Sequence, residues 1–396
     1  MPRQPRKFPS SGFETIDPSQ RVEEERLRLY GSQDYYPMRI GQVVQGRYQV
    51  VAKLGYGTSS TVWLSRHLGD DKFWALKVHV NTLKHNQELD VYRHINAAAI
   101  TAEHPGREYV RQCHDSFQLK GPHGEHQVFV MTPLGMSLRT LQDMQNDGVF
   151  QSTLVTRALD QILLGLDFLR EAHVTHTGHE QDLHSDNLLV ALTDDSVLST
   201  VEDNEMHNPS ARKRAGDGFV HVSHCLLGGA GPLTICDLGQ ARIGSEHRGN
   251  AMPTPYRAPE VILGMPWGNA VDVWSVGLLA WDLLHRESLF HVYDRESEER
   301  NDAHHLAAMT ALLGPPPPEF LSRSRETSRY WDESGQWHGP VALPHGTKLE
   351  SLASTLVGED GELFLGFCQC LLSWLPEERL TSIQAYFHPW LRGKGA

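Results

Sequence analysis

Long apolar runs are missing from this chain, and nothing in it approaches the roughly 18 consecutive apolar residues needed to span a bilayer. The best candidate, Trp274 to Leu284, is interrupted by Ser275, Gly277 and Asp282, so it reads as a buried helix and no membrane partner is expected. A secretory signal is missing too, because the basic start Met1-Pro2-Arg3-Gln4-Pro5-Arg6-Lys7 is followed by no apolar core. Glu14, Asp17 and the acidic run Glu23 to Glu25 argue against a long organellar transit peptide. Cysteine is scarce. Five residues, with no regular spacing beyond Cys368-Gln369-Cys370, suggest a reducing compartment, cytoplasmic, nuclear or both, rather than a disulfide framework. That Cys-x-Cys reads as two thiols on one buried segment. Positive charge is in deficit: 36 Lys and Arg against 49 Asp and Glu leave −13 at pH 7, which disfavours direct nucleic-acid binding and suits basic partners. Histidine is plentiful, at 23, but His179-Glu180-Gln181-Asp182-Leu183 fails as a zinc signature because Leu183 stands where the second ligand is required.

What is present has an order. Residues 1 to about 38 are rich in Pro, Arg, Glu and Ser without periodicity and predict a flexible leader. Strand patterns then run over Tyr48 to Leu54, Ser60 to Ser65 and Phe73 to Val78, the first two flanking Gly55-Tyr56-Gly57-Thr58-Ser59. Three strands in succession are not the strand, glycine loop and helix of a dinucleotide fold. Glycine at 55 and 57 lets backbone amides close over phosphate oxygens where a side chain would intrude. Lys77, on the next strand, could reach those phosphates, or could be a solvated edge residue. Glu88, on a predicted helix, supplies a carboxylate able to orient it, and the apolar spacing of Leu89, Tyr92 and Ile95 favours Glu88 over Asp90. A strand at Gln127 to Met131 leads into Thr132-Pro133-Leu134-Gly135, a short connector. Apolar residues at 155, 158, 159, 162, 163, 166 and 169 then form a helical stripe within Leu154 to Ala172.

Asp182-Leu183-His184-Ser185-Asp186-Asn187 follows, and Asp237-Leu238-Gly239 comes after a long insert. A base, a metal-binding amide and a second metal carboxylate are the parts of a phosphoryl-transfer site. Joined to Gly55-x-Gly57, Lys77, Glu88, Ala258-Pro259-Glu260, Asp272-Val273-Trp274-Ser275-x-Gly277 and Arg379, they fall in the order of the eukaryotic protein kinases, which the chain resembles over about residues 48 to 392. Leu54-Gly55-Tyr56-Gly57-Thr58-Ser59-Ser60-Thr61-Val62-Trp63, the Asp-Leu-Gly, and His176-Thr177 resemble the SR-protein kinases. Tyr35-Tyr36-Pro37-Met38-Arg39-Ile40-Gly41, leading to Gly46-Arg47-Tyr48-Gln49-Val50, is similar to the fungal members of that family.

The resemblance implies an α+β, bilobal fold: a leader at 1–38, a β-rich lobe at 39–132, a mainly helical lobe at 133–392 with an insert at about 192–232, and a tail at 393–396. It implies ATP and Mg²⁺, with Leu54, Gly55, Gly57 and Val62 covering the nucleotide and Ala75 against adenine. Met131 would be the gatekeeper, and Thr132 and Leu134 the hinge groups. Lys77 paired with Glu88 would hold the α- and β-phosphates, Asp182 would accept the substrate proton, and Asn187 and Asp237 would bind the metal. Glu260 and Arg379 would form a buried ion pair, and Asp272 would anchor the catalytic loop. The implied partner is an Arg/Ser-rich protein, and a monomer is expected. No arginine precedes Asp182; Gln181 stands there, which predicts activity without phosphorylation of the short segment Asp237 to Glu260.

Two departures keep other readings open. His184 replaces the usual lysine, as in kinases of aminoglycosides and choline, so a small-molecule phosphotransferase is one alternative. Gly178-His179-Glu180-Gln181 is wedged before Asp182, and shifting a catalytic carboxylate by about 1 Å can cost on the order of a hundredfold in rate. The alternative there is a catalytically weak pseudokinase acting as a scaffold. In the insert, Ser196, Glu202, Asp203, Glu205, Arg212, Lys213 and Arg214 read as solvated, with partial disorder or substrate docking as the expectations.

Overall fold

Two register shifts interrupt one long strand in the β-rich part of the chain. The computed structural model describes residues 4–98, 103–176, 185–216, 218–294, 296–345, 348–352, 356 and 358–393. These form two compact units, one of residues 1–86, 111–136 and 189–232, the other of 87–110, 137–188 and 233–396. In the first unit a two-residue strand, β1 (Thr15–Ile16), precedes β2 (Val43–Val44), β3 (Tyr48–Tyr56), β4 (Ser60–His67), β5 (Phe73–His79), β6 (Cys113–Lys120) and β7 (Glu125–Met131). Six of these make an antiparallel sheet in the order β2-β3-β4-β5-β7-β6.

Alternation along the strands divides their side chains between two cores. Val50, Trp63, Leu76, Val78, Val128 and Val130 pack on one face with Met38 from the leader. The β3 ladder slips between Val50 and Ala52, which puts Val51 and Ala52 together in the second core with Leu64 and Phe73. Each fully buried Val, Leu, Phe or Met side chain among these contributes roughly 1.5–3 kcal/mol.

Here the structure departs from the expectation of a solvated insert, and leader residues pair with it. The helix Ser196–His207 lies in the insert and turns Leu198 and Val201 into the second core. Its Glu202 is fully buried against Arg66 of β4, and its Glu205 against Arg212 and His224. The leader strand β1 pairs in parallel with Arg212–Ala215, which forms a hairpin with Gly218–His221. Lys213 Nζ meets Glu25 at 2.9 Å. Lys53, on β3 and with no exposed surface, donates to Glu24 and to the His221 carbonyl. Of the seven insert residues read as solvated, Glu202, Glu205, Arg212 and Lys213 are buried: Glu202 and Lys213 meet counter-charges from distant segments, while Glu205 and Arg212 pair with each other within the insert. Ser196, Asp203 and Arg214 are exposed as expected.

His221 adds a pH dependence. Its ring meets the Trp63 ring edge-on at 5.6 Å, and its nitrogens have no hydrogen-bond partner among the described residues. Burial, followed by the Arg212 and Lys53 cations, pushes its pKa down to about 3. With the folded value below the unfolded one, the stability is complete above about pH 6.5 and is lost as pH falls toward 3. By pH 4.5 the loss reaches about 2–3 kcal/mol. His221→Phe is therefore expected to flatten this part of the acid slope of Tm between pH 7.5 and 4.5; an unchanged slope would place its source elsewhere.

The second unit is mainly helical, so the whole is the α+β arrangement expected. Helix Ser152–Glu171 buries Val155, Ala158, Leu159, Ile162, Leu163, Leu166 and Leu169, the stripe read from the sequence. Helix Ala270–Leu284 is buried nearly all round, as its apolar run predicted. None of the described helices is long and apolar enough to cross a membrane.

Candidate active site

In the first unit the β3–β4 connection closes with Gly57 N–H donating to the Ser60 carbonyl at 2.8 Å. Gly55 and Gly57 have ordinary negative or extended φ, and a Cβ built on either meets nothing within 4 Å. Neither turn geometry nor packing within the chain requires glycine there. The space left open is what a ligand pressed against the backbone would need.

Register places the other candidates on the same side. Val62 stands opposite both Gly55 and Lys77, Ala75 opposite Met131, and Lys77 opposite Phe129. Residues directly opposite one another, or two apart on a strand, share a face. Gly55, Val62, Ala75, Lys77 and Met131 therefore line one face, with Leu54 packed at the edge of the second core. Ala75 and Met131 are buried, while Val62 and Lys77 are half-buried. Beyond Met131, Thr132 is exposed, its carbonyl accepting from Arg111 at 3.2 Å with a second lone pair remaining. Leu134 is buried, and Pro133 between them has no N–H.

The second unit assembles the acidic candidates. Helix Gln87–Ala97 buries Glu88 and leaves Asp90 half-exposed, which agrees with the apolar spacing. Its Gln87 amide is anchored to the Ala241 carbonyl. A Cβ on Gly239 would lie 3.0 Å from Asp237 Oδ1 and 3.9 Å from Glu88 Oε2, so glycine lets these two carboxylates share one neighbourhood. Asp237 itself has φ +61°, a left-handed conformation that costs a non-glycine residue of order 1–3 kcal/mol and clusters at functional sites.

Backbone hydrogen bonds join Asp237 to the other metal candidate. Cys236 N–H donates to the Asn187 carbonyl at 2.8 Å, and the Cys236 carbonyl bonds His176 Nε2 at 3.1 Å. The His176 N–H in turn donates to Asp272 Oδ2 at 3.0 Å, from the first turn of Ala270–Leu284. Both flanks of the stretch 177–184 are thus tied to Cys236 and Asp272. Asp182 and His184, with the wedge Gly178 to Gln181, lie outside the described residues.

Below this, Arg379 and Glu260 form the expected ion pair, two parallel bonds of 2.7 Å between side chains that are almost wholly buried. A different cluster, His104, Asp167 and Glu171, brings three ligand atoms within 4.8 Å of one another. Its groups are already engaged: His104 Nδ1 caps the Gly106 N–H, and Asp167 accepts from Arg170 and Ser382. Tyr35 was missed by the sequence reading. Its hydroxyl lies against the carbonyls of the glycine loop, a contact that its place in the segment Tyr35 to Gly41 does not reveal.

Comparison with known proteins finds matches over most of the chain. A family model described as a protein kinase domain matches residues 48–391. A serine/threonine protein kinase of Aspergillus fumigatus is 37% identical over 396 residues, covering 98% of this chain and 96% of its own. The serine/threonine-protein kinase SRPK of Physarum polycephalum is 26% identical, covering 93% and 91%. SRSF protein kinase 3 of Mus musculus is 23% identical, covering 93% and 90%.

Proposed function

The chain belongs to the protein kinase family, among the serine/threonine kinases, and from that premise we propose that it phosphorylates hydroxyls of Arg/Ser-rich proteins. The shared face of Gly55, Val62, Ala75, Lys77 and Met131 beside an open glycine loop is the observation that carries the nucleotide half of this reading. Gly55, Gly57, Leu54 and Val62 cover the nucleotide, Ala75 and Met131 bound the adenine, and the Thr132 carbonyl and Leu134 N–H meet its edge. Lys77 neutralises the α- and β-phosphates.

Kinases of this family use ATP with a divalent metal ion. The Asp237 carboxylate and Asn187 carboxamide, joined through Cys236, are hard oxygen donors of the kind Mg²⁺ takes. Bound there, the ion would draw off charge developing on the phosphoryl oxygens. Asp182 orients the substrate hydroxyl and accepts its proton, and His184 stands two residues after it in the sequence. The net charge of −13 and the likeness to a kinase named for SRSF proteins support a basic, serine-bearing substrate.

Transfer of labelled γ-phosphate to an Arg-Ser repeat peptide, an acidic serine peptide and an amino alcohol tests this. Incorporation into the Arg-Ser peptide, reduced at least a hundredfold by Asp182→Asn, is expected. Labelling of the amino alcohol alone would assign a small-molecule phosphotransferase. ATP binding without transfer to any acceptor would assign the scaffold.

A further inference from the structure

We propose that Tyr35 is a positioning residue for phosphate binding: its hydroxyl holds two carbonyls of the glycine loop so that the amides of the same peptide units face the nucleotide. The proposal rests on reading that loop as the nucleotide's cover.

Tyr35 is 8% exposed, and its Oη lies 3.0 Å from the Gly57 carbonyl oxygen and 3.1 Å from that of Thr58. One hydroxyl hydrogen is shared between the two acceptors. The loop is held elsewhere as well, by Gly57 N–H to the Ser60 carbonyl and Val80 N–H to the Ser59 carbonyl. Every carbonyl from Gly57 to Ser60 thus has a donor within the chain. The N–H groups of Thr58 and Ser59 have no partner among the described residues.

Peptide geometry connects the two observations. In a planar trans peptide the C=O and the following N–H point in opposite directions, and no cis bond occurs among the described residues. Fixing the Gly57 carbonyl toward Tyr35 turns the Thr58 N–H away from it. Fixing the Thr58 carbonyl does the same for the Ser59 N–H. Two successive amides on one side of a turn form an anion-binding concavity.

The brace has a firm base. Asn81 N–H donates to the Asp34 carbonyl at 3.0 Å and its side chain to the Gln33 carbonyl at 2.8 Å, which ties the residues before Tyr35 to the end of β5. Tyr30 packs on the Tyr35 ring at 5.3 Å. Burial, then the charges of Glu24 and Asp34, pushes the phenol up to about 12, so it remains a donor throughout the neutral range.

Tyr35→Phe deletes the hydroxyl and keeps the ring. Affinities of full-length wild type and Y35F for adenosine, ADP and ATP, measured by calorimetry with Mg²⁺, separate a brace from general packing. ADP and ATP are expected to weaken about three- to tenfold, the worth of one hydrogen bond, with adenosine unchanged. Equal weakening of all three, or no change in any, would overturn the proposal. The ratio of adenosine to ADP affinity is read on folded protein, so a lowered Tm does not obscure it. Failure of the wild type to bind ATP would instead remove the nucleotide reading itself.

Discussion

Asp237→Asn is expected to lower kcat for peptide phosphorylation by about a hundred- to a thousandfold, the usual loss when one preorganised electrostatic group is removed from a transition state. The substitution is chosen to change charge and little else. Asparagine tolerates the left-handed backbone that Asp237 adopts at φ +61°. Its side-chain oxygen still accepts from the Gly239 N–H, now 3.3 Å from Oδ1. Tm should therefore stay within a few degrees of wild type while turnover collapses. Titration with Mg²⁺ and Mn²⁺ adds a second readout, because a lost carboxylate ligand raises the metal concentration needed for half-maximal rate. Activity within threefold of wild type, at any metal concentration, would remove Asp237 from the metal site. The neighbouring Glu88 would then become the carboxylate to test.

Local pattern made one part of this chain legible and left another hidden. Strands β3, β4, β5 and β7 and the helix Ser152–Glu171 start within about two residues of where alternation and the 3.6-residue stripe put them, because one face of each is apolar along its own length. The family, the α+β fold and the ion pair of Glu260 with Arg379 were readable as ordered motifs. The leader and insert were not. Glu202 finds Arg66, Lys213 finds Glu25 and Arg212 stacks on Phe13 across long separations in sequence, and each residue viewed alone has the composition of a solvated loop. Burial of a charged residue with a distant partner shows in the sequence where both belong to one set of ordered motifs, as for Glu260 and Arg379, and otherwise leaves little signal. Tyr35 was hidden for a related reason: its partners are backbone carbonyls, which leave no side-chain signal. For Asp182 and His184 the expected chemistry rests on residue type and spacing, and both belong to 177–184, outside the described residues.

The largest loss of stability is expected from Arg379→Ala, about 3–5 kcal/mol by chemical denaturation. Arg379 meets Glu260 through both terminal nitrogens, and its Nε donates to the Ser373 carbonyl at 2.9 Å. One of those terminal nitrogens also reaches the Ala270 carbonyl at 3.2 Å, and the guanidinium lies 4.9 Å over the Trp274 ring. Truncation removes every one of these contacts and leaves the Glu260 carboxylate buried without its counter-charge. The uncompensated charge is the dominant cost, so the double variant Glu260→Gln/Arg379→Met should recover a large share of what Arg379→Ala loses, by replacing charge with an amide and apolar volume. No recovery would assign the loss to packing around Trp274 instead. Arg379 also touches the start of the helix whose Asp272 holds the His176 N–H, so loosening it is transmitted to the backbone leading into the catalytic stretch. At temperatures where Arg379→Ala is still folded, kcat should therefore fall more than KM for ATP rises, since the residues proposed to hold the adenine belong to the other unit.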